Sequence, residues 1–95
     1  MSDDFQLSAS NWPGLAKLVE ESGEVLQVCG KLMANGGQNH HWDGTNLRDR
    51  METELGDLQA AILFAIEYNQ LDTVKIAQRT MEKLQLYEKW RREGT

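Results

Sequence analysis

Three stretches of the chain carry apolar residues at helical spacing, and one stretch carries none. Leu15, Leu18 or Val19, Ser22, Leu26, Cys29 and Met33 recur every three or four residues, the period that brings side chains to one face of an α-helix. Leu47, Met51, Leu55, Leu58, Ile62 and Ala65 or Ile66 repeat the pattern, and so do Val74, Ala77, Met81, Leu84 and Tyr87. Between the first two runs lies NGGQNHHWDGTN, with paired glycines, several side-chain amides and no apolar period, which predicts a loop. The expected organisation is one all-α domain over residues 1–95, with helices at about 12–34, 46–69 and 72–92 and a loop over 35–45.

Residues at the ends of these runs fit those limits. Ser10 and Asn11 are N-cap types just ahead of Pro13, which the first turn of a helix tolerates. Asn46 followed by Asp49 resembles a capping box, and Asp72 can cap the third helix. The tail KWRREGT is basic, which complements the negative end of a helix dipole. Phe64, Ile66 and the side from Met81 to Trp90 add more apolar surface than one stripe can bury. The expected architecture is therefore a homo-oligomer, a dimer or tetramer, that completes a four-helix-bundle-like core.

Composition narrows the function. A chain of 95 residues buries only about 60–65% of its unfolded surface, so its core is thin. Hydrophobic residues at 40% are nonetheless enough to fold. A formal net charge of -5 argues against binding a nucleic-acid polymer, which needs excess Lys and Arg to displace counterions. Cys29 is the single cysteine, which excludes an intrachain disulfide or a thiolate zinc site and reads as a buried, inert thiol. The start MSDDFQLSASNW lacks the basic and apolar segments of a signal peptide, and AAILFAI is too short to span a bilayer. The expectation is a cytoplasmic protein with no membrane partner.

The acids bring in chemistry. Glu21 and Glu24 are three residues apart on the first helix, and Glu54 and Asp57 repeat this on the second. At that spacing Cβ atoms lie about 5–6 Å apart, and like charges repel. A solvated helix face would explain either pair alone. Both pairs, however, adjoin the apolar stripe, and each brackets a glycine, Gly23 or Gly56, where alanine would favour the helix by about 1 kcal/mol. Two small residues there would let the helices approach closely where the acids meet. A divalent cation resolves the repulsion: carboxylates from two antiparallel helices suit Mg²⁺ or Mn²⁺ and leave positions for a substrate phosphate.

EESGE followed by ELGD, each on an apolar helix, resembles the EExxE…ExxD signature of MazG-like, all-α nucleoside triphosphate pyrophosphohydrolases. TELGDLQAAILFAI looks like that family's second metal helix, and a Lys/Arg-rich helix follows, so the likeness covers about residues 12–92. The resemblance implies Mg²⁺-dependent cleavage of a nucleoside triphosphate between the α and β phosphates, giving a monophosphate and pyrophosphate. It makes Glu21, Glu24, Glu54 and Asp57 the metal-binding and catalytic acids. Glu20, one position off their face, would orient a ligand or water or form a salt bridge.

Lys31, two turns beyond Glu24, either reaches a phosphate or is an ordinary solvated lysine. Lys75, Arg79 and Lys83 form one basic edge, and the family analogy favours phosphate contacts from Lys75 and Arg79; surface pairing with Glu82 or with the acidic helices is the alternative. Trp42 offers a face for base stacking or pins the loop to the core. Trp12 and Trp90 read as packing or interface residues, and Asp43-Gly44 as a turn.

Two other carboxylate or histidine chemistries fail. A di-iron bundle needs Glu-x-x-His pairs, and a phosphotransfer bundle needs a mid-helix histidine, whereas His40 and His41 both fall in the loop. The remaining rivals are a non-catalytic helical module that binds nucleotides or protein, and a relative restricted to phosphoribosyl-ATP or dUTP.

Overall fold

A computed structural model describes residues 11–94. Three helices account for most of them: α1 (Leu15–Ala34), α2 (Leu47–Tyr68) and α3 (Thr73–Arg92). Among the described residues there is no strand, only an isolated bridge between His40 and Asn46. No described helix is long and apolar enough to cross a membrane.

The helix ends follow local chemistry. Asn46 Oδ1 accepts the Asp49 amide at 3.1 Å, and Asp72 Oδ1 accepts those of Val74 and Lys75 at 3.0 Å each. Asn11 does not cap α1, whose N-cap is Gly14, which offers no side chain; Ser10, the other expected cap, lies outside the described residues. Gly14 stands there because its φ of +87° is left-handed and a Cβ on it would come 2.7 Å from Phe64 Cδ1. α1 ends in a Schellman arrangement, with Gly37 N–H on the Leu32 carbonyl at 2.8 Å and Gly36 N–H on that of Met33 at 3.3 Å. α2 ends the same way, on Ile66 and Glu67, but with Gln70 at the left-handed position.

α1 and α2 pack against each other as an antiparallel pair. Gly14 faces Phe64 and Ala65, Glu21 faces Asp57, and Glu24 faces Arg50, so partners run backwards along α2 as α1 runs forwards. Asn69 ties the open end by donating to the carbonyls of Pro13 and Ala65, both at 2.8 Å. The core between the helices holds Val28, Leu47, Ala61 and Ala65, flanked by half-buried Leu18, Val25, Leu32, Met51 and Leu58.

Only part of the stripe that spacing singled out on α1 turns inward: Leu18 and Cys29 are half-buried. Leu15, Val19, Leu26 and Met33 are exposed, Leu26 at 70% and Met33 at 83%. α1 carries apolar residues on two sides, and α2 covers only the side containing Leu18, Glu21, Val25, Val28 and Leu32. Glu21 and Glu54 thus lie within the packed stripes. The role expected of Gly23 and Gly56 also fails within this chain, since a Cβ on either would meet nothing within 4 Å.

α3 departs furthest from expectation. It has no buried residue, and Val74, Ala77, Met81, Leu84 and Tyr87, expected to face inward, are exposed. Ile76, Lys83 and Leu86 are its half-buried positions. The Cα radius of gyration is 16.4 Å, against roughly 12 Å for a compact domain of this length. The excess length comes from a helix that the α1–α2 pair does not cover.

Candidate metal centre

The antiparallel register of α1 and α2 brings Glu21, Glu54 and Asp57 together, with one carboxylate oxygen from each within 4.8 Å of the others. Glu54 and Asp57 share a face of α2 because they are three residues apart, and Glu21 meets them from α1. Glu21 and Glu54 are partly buried, whereas Asp57 stands at the mouth. Lys17, Ala60, Ala61 and Phe64 join Glu21 and Asp57 in lining an open groove of about 410 Å³.

The cluster carries unbalanced negative charge. Neither the Glu21 nor the Asp57 side chain forms an ion pair or hydrogen bond with another described residue. The pKa of the Glu21 carboxyl is raised from its ordinary value, first by desolvation and then by Asp57, Glu20 and Glu54, with Lys17 opposing. A cation placed among the three would reverse that shift. The donors are all carboxylate oxygens, which suits a hard divalent ion such as Mg²⁺ or Mn²⁺ and does not suit a thiophilic one.

Glu24 does not join the other three. Its Oε2 accepts from Arg50 Nη2 at 3.2 Å, and the same guanidinium reaches Gln27 Oε1 at 3.4 Å and, through Nε, Glu54 Oε1 at 3.5 Å. Arg50 is therefore a positive group of the site, as is Lys17 at the groove, and the sequence pattern had not singled out Arg50. Its place four residues before Glu54 was a visible i, i+4 signal. Its bond to Glu24 depends on helix register and was not visible. Lys17, four residues before Glu21, was missed likewise.

The other candidate residues stand apart. Glu20 is exposed and pairs with Lys17 at 3.1 Å. Lys31 Nζ lies 3.8 Å from Asp43 in the loop. On α3, Lys75 is exposed, Arg79 pairs with Glu82 at 2.9 Å, and Lys83 sits 5.7 Å from the Tyr87 ring centre. Trp42 does not pin the loop, being 88% exposed, so its ring is open to solvent. His41 is half-buried, with its Nδ1 out of solvent; that atom approaches Asp43 Oδ1 at 2.9 Å without the alignment of a hydrogen bond. The Thr45 hydroxyl and amide, with the His41 imidazole, hold the Asp43 carboxyl well below the usual range. The turn at Asp43-Gly44 closes through Gly44 N–H on the His41 carbonyl at 3.0 Å.

An antiparallel helix pair presenting acids from both members at one groove defines a class of all-α carboxylate sites. The MazG nucleotide pyrophosphohydrolase domain matches this chain over residues 13–91, and the chain belongs to that family. No curated protein and no solved structure matches it.

Proposed function

We propose that the protein is a divalent-cation-dependent nucleoside triphosphate pyrophosphohydrolase that converts a (d)NTP and water into a (d)NMP and pyrophosphate. The observation that carries this reading is the convergence of Glu21, Glu54 and Asp57 beside an open groove in a chain of this family. These three carboxylates would hold Mg²⁺, or Mn²⁺ in its place, and Glu24 stands one helical turn from Glu21. The bound ion supplies charge neutralisation for the phosphates and a more acidic water.

The chain's own groups do the positioning. The carboxylates fix where the triphosphate can dock, because only a cation-bridged anion is tolerated there. Ala60, Ala61 and Phe64 give the groove an apolar wall beside the carboxylates. Phosphoryl substitution breaks the Pα–O–Pβ link while water attacks in line, so orientation and neutralisation carry most of the catalysis.

The same reading includes a homo-oligomer in the cytoplasm, where nucleoside triphosphates are found. Exposed Val19, Leu26 and Met33 on α1, Ile62 and Leu63 on α2, and Met81 and Leu84 on α3 form apolar surface that a second copy would bury. Lys75 and Arg79 lie on a helix that does not cover the acid groove of its own chain, so phosphate contacts from them go with this assembly. Lys31, held near Asp43, is a further basic candidate for phosphate on α1.

The test is a panel of NTPs and dNTPs with Mg²⁺, assayed separately for pyrophosphate and orthophosphate. Pyrophosphate release is expected. Orthophosphate alone would make the protein a different kind of NTPase, and no release from any nucleotide would leave a binding module. Sedimentation equilibrium is expected to give a dimer or tetramer, and a monomer at micromolar concentration would refute the assembly.

A further inference from the structure

The acid cluster contains one feature that a simple metal cage would not need. Arg50 projects from α2 between Glu24 and Glu54, and its guanidinium touches three acceptors at once: Glu24 and Gln27 through Nη2 and Glu54 through Nε. The separations of 3.2, 3.4 and 3.5 Å are longer than the roughly 2.7–2.9 Å of a tight charge-assisted bond. Nor does the guanidinium fork onto both oxygens of one carboxylate. It is spread across the acceptors, an arrangement that neutralises charge while binding no single partner strongly.

The partners are those that a divalent ion would compete for. Glu54 is one of the three convergent acids, with its side chain only 13% exposed. Glu24 sits one helical turn from Glu21 on α1, close to the cluster but drawn off towards Arg50. A unit positive charge near an ion site lowers the site's affinity for a second, doubly charged cation. We infer that Arg50 is an internal counter-cation that holds Glu24 and Glu54 in the metal-free chain and yields them when a divalent ion binds, so that Glu24 completes the site only then. This inference rests on the metal-binding reading above and adds an exchange step to it. Arg50 acts here through the carboxylates and is a positioning residue.

The exchange predicts opposite effects of removing Arg50 on metal affinity and on metal-free stability. In R50Q the carboxylates lose their counter-charge, so the metal-free protein melts at a lower temperature, while Mn²⁺ binds on the order of tenfold more tightly. The measurement is calorimetric titration of the full chain with MnCl₂ alone at fixed ionic strength, with melting curves recorded with and without the ion. The double variant E24Q/R50Q should lose most of the gain in affinity, because Glu24 is the group being released.

R50Q affinity equal to or weaker than wild type would overturn the exchange while leaving the metal site standing. Absence of Mn²⁺ binding to both wild type and R50Q would sink the metal site itself, and the exchange with it. Should R50Q not fold, the wild-type protein decides the matter by NMR. A Mg²⁺ titration is expected to move the Arg50 Nε–H resonance and the Glu24 carboxyl carbon along one binding curve. An Arg50 resonance unmoved at saturation would refute the inference.

Discussion

Replacing Gly14 and Gly23 by alanine, one at a time, separates a glycine the packing requires from one it does not. At Gly14 the φ of +87° places any L-residue in the left-handed region, at a cost of about 1–2 kcal/mol. The added Cβ would lie 2.7 Å from Phe64 Cδ1, well inside ordinary carbon contact. Because Phe64 is 45% exposed its ring can swing outward, so the steric cost falls at the lower end of overpacking, about 1 kcal/mol. Together these give a loss of roughly 2–3 kcal/mol, against a total stability of about 5–14 kcal/mol for a chain of this length. The melting temperature should fall by roughly 10 °C or more.

Gly23 is helical and a Cβ there meets open space, so Gly23→Ala should gain about 0.5–1 kcal/mol. Phe64 and Glu21 line the same groove, so Gly14→Ala should also weaken Mn²⁺ binding, whereas Gly23→Ala should not. The assay is urea unfolding of the metal-free protein at one fixed concentration, followed by calorimetric Mn²⁺ titration. Wild-type stability in Gly14→Ala, or a loss in Gly23→Ala, would refute the packing argument.

Other perturbations test the site and the helix ends. Asp57→Asn should reduce pyrophosphate release at least about a hundredfold with the helical circular dichroism unchanged, because the site loses a charged donor rather than packing; retained turnover would remove Asp57 from the site. Glu21 has a folded-state pKa raised above 4.5, so its ionisation costs stability once the pH exceeds that value. The metal-free Glu21→Gln protein should therefore melt higher than wild type at pH 7, with the difference fading as the pH falls below 4.5, where the carboxyl is protonated in both states. A pH-independent difference would contradict this origin. Gln70 ends α2 with φ at 51°, so Gln70→Gly should raise stability by about 0.5–1 kcal/mol in urea unfolding, and a loss would show that the Gln70 side chain has a role of its own.

The helices were legible because their signals are local. Apolar spacing and the caps at Asn46 and Asp72 involve residues within a turn or two of each other. The same holds for Glu54 with Asp57, which any helix brings to one face. Which face of α1 turns inward was not legible. That helix is apolar on two sides, and the choice between Leu26 with Met33 and Val25 with Val28 falls to whichever side α2 meets.

The candidate site divides along the same line. Sequence spacing alone determined that acids occur in pairs on two helices, and that pairing is what raised the possibility of a cation. Tertiary structure decided the membership. Helix register brought Glu21 to Glu54 and Asp57, gave Glu24 to Arg50, and set Glu21 and Glu54 within the packed stripes. It also moved the close approach from Gly23 and Gly56 to Gly14. The physical reason is range: periodicity and capping act over a few residues, whereas charge balance at a site depends on side chains that only the docking of two helices makes neighbours.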